Sequence, residues 1–154
     1  MQKIAKYFSL LLLLTCAVLP VHAQRFHDPH PAYLHALSDL RVARWCLSHQ
    51  DGGFKVYEEE TEAIMEIDAA IGEIKHAAYD DGKGLEDHPP IDVRDHGSRL
   101  LRAIEFLQQA KSDIDQSEDN PEVRDLRHHA NEHIDHALHA AGKAHDRWLH
   151  EMGR

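Results

Sequence analysis

A chain of 154 residues with 27 acidic and 17 basic side chains, 15 histidines and two cysteines is long enough for one domain with a real core, and it carries a formal charge of −10 with the histidines neutral. So acidic a chain disfavours nucleic acid and anionic membrane surfaces as partners and favours cations, metal ions among them. Two cysteines, of which Cys16 lies in the leader described next, exclude a disulfide framework for the remainder.

Lys3 and Lys6 precede an apolar run from Phe8 to Leu19, followed by Pro20 and the small-residue pattern Val21-His22-Ala23. A run of about a dozen residues is too short to span a bilayer, where roughly twenty are needed, and the arrangement is that of a secretory signal peptide. Residues 1–23 are therefore expected to be removed, leaving 24–154 as a single helical-bundle domain that is periplasmic or secreted and off the membrane. Leu13-Leu14-Thr15-Cys16 faintly resembles a lipidation site, but Thr15 suits it poorly beside the cleavage expected after Ala23. Loss of Lys3 and Lys6 takes the charge to near −12. Cys46 stays as a lone thiol, open to burial, metal ligation or intermolecular pairing.

After the lead Asp28-Pro29-His30-Pro31, the residues Tyr33, Leu37, Leu40 and Leu47 recur at helical spacing, predicting a first helix to His49 that ends at Asp51-Gly52-Gly53. Arg44 falls within that apolar stripe and calls for an acidic partner such as Asp68, Asp115 or Asp135. Ile64, Ile67, Ile71, Ile74 and Ala78 give a second helix with a narrow, bundle-type seam, stopped by Asp80-Asp81-Gly82-Lys83-Gly84. The stretch from Asp80 to Asp95 contains Pro89-Pro90 and reads as a long, solvated connection. Its acids lack the ligand spacing of a calcium-binding EF-hand loop.

A third helix is predicted from about Gly97 on Leu100, Leu101, Ile104, Leu107 and Ile114, and Asn120-Pro121-Glu122 breaks it and starts a fourth that runs to about Glu151. Strand signals are nearly absent. The expectation is an all-α, up-down antiparallel four-helix bundle, with short turns joining the first two and the last two helices. Ile67-Asp68-Ala69-Ala70-Ile71 in the second helix is echoed by Ile134-Asp135-His136-Ala137-Leu138 in the fourth.

The segments Pro31-Ala32-Tyr33-Leu34-His35-Ala36-Leu37-Ser38-Asp39-Leu40-Arg41 and Glu66-Ile67-Asp68-Ala69-Ala70-Ile71, then Asp80-Asp81-Gly82-Lys83 and Asp87-His88-Pro89-Pro90, resemble those of small exported histidine-rich helical proteins of soil bacteria. That resemblance brings no known activity and no site residue with it.

The fourth helix holds seven histidines, at 128, 129, 133, 136, 139, 145 and 150. At 100° per residue, Leu126, Ala130, Ile134, Ala137, Ala141, Ala144 and Trp148 share the core face. His129, His133 and His136 line one edge of it. Imidazoles one turn apart can chelate Zn(II), Cu(II) or Ni(II), with a third histidine or a carboxylate from an adjoining helix completing the shell. The opposite stripe of His128, Glu132, Asp135, His139, Asp146 and His150 faces water and offers only weak sites. His27 and His30 add ligands near the mature N-terminus.

Glu73 and His76 have the spacing of di-iron bundles, yet they point away from the seam and lack a matching pair in the fourth helix. No haem-attachment motif, nucleophile elbow, phosphate-binding glycine loop or zincin motif is present. The sequence thus points to a non-enzymatic exported protein that binds or buffers transition-metal ions through His129, His133 and His136, with His27 and His30 as further ligands. No cofactor is required, and Cu, Ni or Zn is the partner. The alternative is a periplasmic interaction or stress-protective bundle that binds other exported proteins without a metal role; oligomeric state is left open. Free imidazole titrates near pH 6.5, so affinity carried by histidines should fall between about pH 7.5 and 5.5.

Overall fold

The structure, a computed structural model, describes residues 31–49, 56–77, 80–115 and 124–153. Residues 1–23, read from the sequence as a signal segment, His27, His30, the expected Asp51-Gly52-Gly53 turn, Ala78 and the expected Asn120-Pro121-Glu122 break lie outside them. Four helices form, α1 (Pro31–Ser48), α2 (Glu58–Ala77), α3 (His96–Asp115) and α4 (Arg124–Glu151), and the described residues contain no strand.

Local chemistry sets the starts. Pro31 opens α1, where its missing N–H costs nothing. Glu60 reaches back to accept the Tyr57 backbone N–H (3.1 Å), half of a capping box, and three glutamates in the first turn of α2 oppose Lys75 and His76 in its last, in line with the helix dipole. Asp95 caps α3 by accepting the Ser98 N–H at 2.9 Å, and hydrogen bonds from the Ser98 side chain and then this N–H hold its carboxyl below the usual range.

The α1/α2, α2/α4, α4/α3 and α3/α1 pairs pack against one another, closing a ring in which α2 and α3 are diagonal. Arg44 meets Asp68 across α1/α2, Glu66 meets His133 across α2/α4, and Lys111 meets Asp135 across α3/α4. His96 at the start of α3 meets Glu60 at the start of α2. α1 and α2 are antiparallel neighbours, as are α3 and α4, but α3 runs in the same direction as α2, so the simple up-down order becomes up-down-down-up. The long connection makes this possible. Sixteen residues extended at about 3.3 Å each can return along the roughly 30 Å of a 20-residue helix.

That connection crosses the outer side of α1. Arg41, only 1% exposed, donates to both carboxylate oxygens of Asp81 at 2.8 Å each and to the Gly84 carbonyl at 2.9 Å. Gly82 adopts φ 68°, a left-handed conformation that suits glycine, and its N–H is accepted by Asp80. The acidic stretch is therefore not simply solvated: Asp81 is a buried counter-ion. Burial is the largest single influence and opposes ionisation there, but the hydrogen bonds from Arg41 and the Lys83 N–H, with the charges of Arg41 and Lys75, together outweigh it and hold the Asp81 carboxyl below its ordinary range. Arg44 takes the partner Asp68 at 2.7 Å and adds Glu86 from the crossover at 2.5 Å.

The core is built of Leu37, Leu40, Leu47, Ile67, Ile71, Ile74, Leu100, Leu107, Ile114 and Ile134, with alanines between them. Ile64 and Ile104 pack only partly, and Leu101 is 48% exposed, which corrects its assignment to the core face. Ala103 and Ala110 complete the buried face of α3 instead. Glu60 and His96, 2% and 5% exposed, form a polar joint at one end, where the Tyr57 ring stacks on His96 and the Tyr57 hydroxyl donates to Glu151. Burial, with Glu151 beside it, pushes the Tyr57 phenol up to about 12.

Candidate metal centre on the α2–α4 seam

Small side chains decide how closely α2 and α4 approach. Ala63 and Ala70 flank Ile67 on α2, and Ala130 and Ala137 flank Ile134 on α4; all six side chains are buried. Glu66 sits three residues after Ala63 and four before Ala70, and His133 sits likewise between Ala130 and Ala137. Each is therefore at the edge of its buried face. The two occupy corresponding places in the sequence echo, and the antiparallel crossing brings these corresponding edges together.

His133 Nδ1 lies 2.7 Å from Glu66 Oε2, and His136 Nδ1 lies 3.7 Å from the same oxygen. One ligand atom from each of the three residues falls within 4.8 Å of the others. A tetrahedral ion with bonds of about 2.05 Å would set its ligands roughly 3.3 Å apart. The carboxylate oxygen must therefore move out by about 0.6 Å from His133 and in by about 0.4 Å toward His136, within the reach of side-chain torsions. Glu66 and His133 are half-buried, whereas the His136 side chain is 69% exposed. The donor set is two imidazole nitrogens and one carboxylate oxygen, borderline ligands that suit Zn(II), Cu(II) or Ni(II). Water can reach the remaining positions past His136.

Of the histidines expected to act together, His133 and His136 converge and His129 does not. His129 is exposed, and its ring lies 6.1 Å from that of His128. The physical reason is the position of the partner: Glu66 comes opposite the His133–His136 turn, one turn beyond His129. Cys46 is buried in the core on α1 and takes no part in the α2–α4 cluster; burial, partly offset by Arg99 and Arg102, pushes its thiol up to about 11 and favours the neutral form. Glu73 is half-buried and His76 exposed, in keeping with their outward placement.

Glu66 is the member of this cluster that sequence reasoning did not name. A carboxylate from an adjoining helix was expected, and the echo could have located it, because the residue before Ile134-Asp135 is a histidine and the residue before Ile67-Asp68 is Glu66.

No family model matches the chain, and neither a curated protein nor a solved structure was found to match it.

Proposed function

We propose that this is an exported, non-enzymatic protein that binds or buffers a transition-metal ion between α2 and α4, held by Glu66, His133 and His136. The observation that carries this is the convergence of three ligand atoms from two helices within 4.8 Å. Three protein ligands with solvent at the other positions make an exchangeable site, which suits buffering better than a closed structural centre. An acidic chain concentrates cations around it.

The interaction-module alternative calls for a contiguous exposed apolar patch. Among the described residues the large exposed hydrophobics are Met65, Leu101 and Met152, on three different helices or helix ends, so the metal assignment is favoured. Calorimetric titration of the mature chain with Cu(II), Ni(II) and Zn(II) at pH 7.5 tests it. Binding tighter than about 0.1 mM, roughly −5.5 kcal/mol, is expected for at least one ion and should weaken in Glu66→Gln. Absence of such binding for all three ions refutes the proposal.

A further inference from the structure

On the far side of the bundle from the metal seam, a groove of about 770 Å³ opens between α1, α3 and the Pro89–Val93 stretch of the crossover. That volume lies within the range of small-molecule sites. Its apolar wall consists of Val42, Ile91, Leu101 and Phe106, and its polar groups include Asp39, Asp92 and Glu105. Arg102 also lines it, with its half-exposed guanidinium paired with Glu105 at 2.7 Å and lying 4.9 Å over the Phe106 ring. Leu101, the large hydrophobic that α3 leaves in water, sits here.

Asp39 is the unusual member. It is partly buried, and it has no hydrogen bond or ion pair with any described residue. Burial, then the nearby Asp113, push its carboxyl up to about 6, while His35, four residues earlier on α1, pulls it back. A carboxylate kept in a cleft at a cost to the fold is characteristic of a binding group.

We infer that this groove binds a small amphipathic organic cation, a primary amine with an apolar tail. Its ammonium pairs with Asp39, and its hydrocarbon lies against Val42, Ile91, Leu101 and Phe106. Charge complementarity selects this occupant. The ammonium supplies a permanent counter-charge to Asp39 beyond what His35 gives, offsets the repulsion from Asp113, and donates the hydrogen bonds that Asp39 has no partner for. A metal ion is a poorer fit, because the one group of three ligating side chains found among the described residues lies on the other seam. A carboxylate ligand would add to the repulsion. This inference is independent of the metal site.

The test uses the mature chain at pH 7.5 with three probes of equal tail length: n-hexylammonium, hexanol and hexanoate. Amide shifts are followed by NMR. Hexylammonium should shift residues 38–42, 91–93 and 101–106 saturably, hexanol should bind at least about tenfold more weakly, and hexanoate should not bind, since a charge-assisted hydrogen bond is at stake. Asp39→Asn, which should fold at least as well as the wild type, and Leu101→Ser, at an exposed position, should each weaken hexylammonium, the first by about tenfold or more. The carboxyl midpoint of Asp39 should fall when amine is added, with Asp113, Asp92, Glu105, His35 and Arg102 as the charged groups around it. Equal affinity for hexanol and hexylammonium, undiminished binding in Asp39→Asn, or shifts confined to other surfaces would overturn the inference.

Discussion

Replacing Asp81 by asparagine keeps the shape of the side chain and removes only its charge, so it isolates what fastens the crossover to α1. In the native protein Arg41 is almost wholly buried and is matched by both Asp81 oxygens at 2.8 Å, with the carbonyls of Gly84 and Lys83 as further acceptors at 2.9 and 3.4 Å. Without the carboxylate a guanidinium stays out of water with neutral partners only. Breaking a buried pair in this way costs about 3–5 kcal/mol, and the two remaining carbonyls argue for the lower end. Small domains have about 5–15 kcal/mol in total, so the loss is a large share.

With a urea slope of roughly 1.5 kcal/mol/M, 3 kcal/mol moves the unfolding midpoint down by about 2 M, measured by circular dichroism. The double replacement Arg41→Met with Asp81→Leu should recover to within about 1 kcal/mol of the native protein, because an apolar pair needs no counter-ion. The acid side adds a signature. The folded Asp81 carboxyl is held below its unfolded value near 3.8, so its contribution is present above pH 3.8 and lost as pH falls through the folded value; Asp81→Asn should lack that dependence. A midpoint for Asp81→Asn within about 0.3 M of the native one would refute the fastening role.

Asp39→Asn has the opposite sign. The folded carboxyl is raised to about 6 from 3.8, so the native protein loses stability as pH rises through that window. The variant should be more stable at pH 7.5 by about 1–2 kcal/mol after discounting for solvent screening, a gain that shrinks toward zero near pH 4; a constant difference across the range would contradict this. Gly97→Ala should cost about 1–3 kcal/mol, because the added carbon would lie 2.3 Å from the Trp148 ring, and urea melts of the variant alone and with Trp148→Ala check whether relief of that overlap restores part of the loss. Metal affinity should decline from about pH 7.5 to 5.5 as imidazoles charge, while helicity holds; affinity unchanged across that range would exclude histidine ligands.

Helix number, approximate bounds and the buried faces were legible because apolar spacing reports directly on which face meets the core. Leu101 escaped that logic: its spacing fits the stripe, yet Ala103 and Ala110 fill the interface, and a small residue can be a better core residue where backbones come close. The helix order was not legible. It depends on where the crossover lies, and Arg41–Asp81 and Glu60–His96 are pairings between distant residues that no local pattern announces. The histidine edge of α4 was visible as an edge, but which two histidines converge was decided by Glu66 on another helix. Asp39 gave no sign at all, since its strain arises from burial and from Asp113, 74 positions along the chain.

The central claim is that Glu66, His133 and His136 share one ion, and the nitrogen hyperfine pattern of the 1:1 Cu(II) complex of residues 24–154, read by electron paramagnetic resonance at pH 7.5, tests it most directly. Two imidazole nitrogens are expected from the donor set, with one lost in His133→Ala and one lost in His136→Ala. Glu66→Gln should alter the spectrum, and His129→Ala should leave it as it is. A spectrum that His133→Ala and His136→Ala both leave unchanged would place the ion elsewhere and contradict the account.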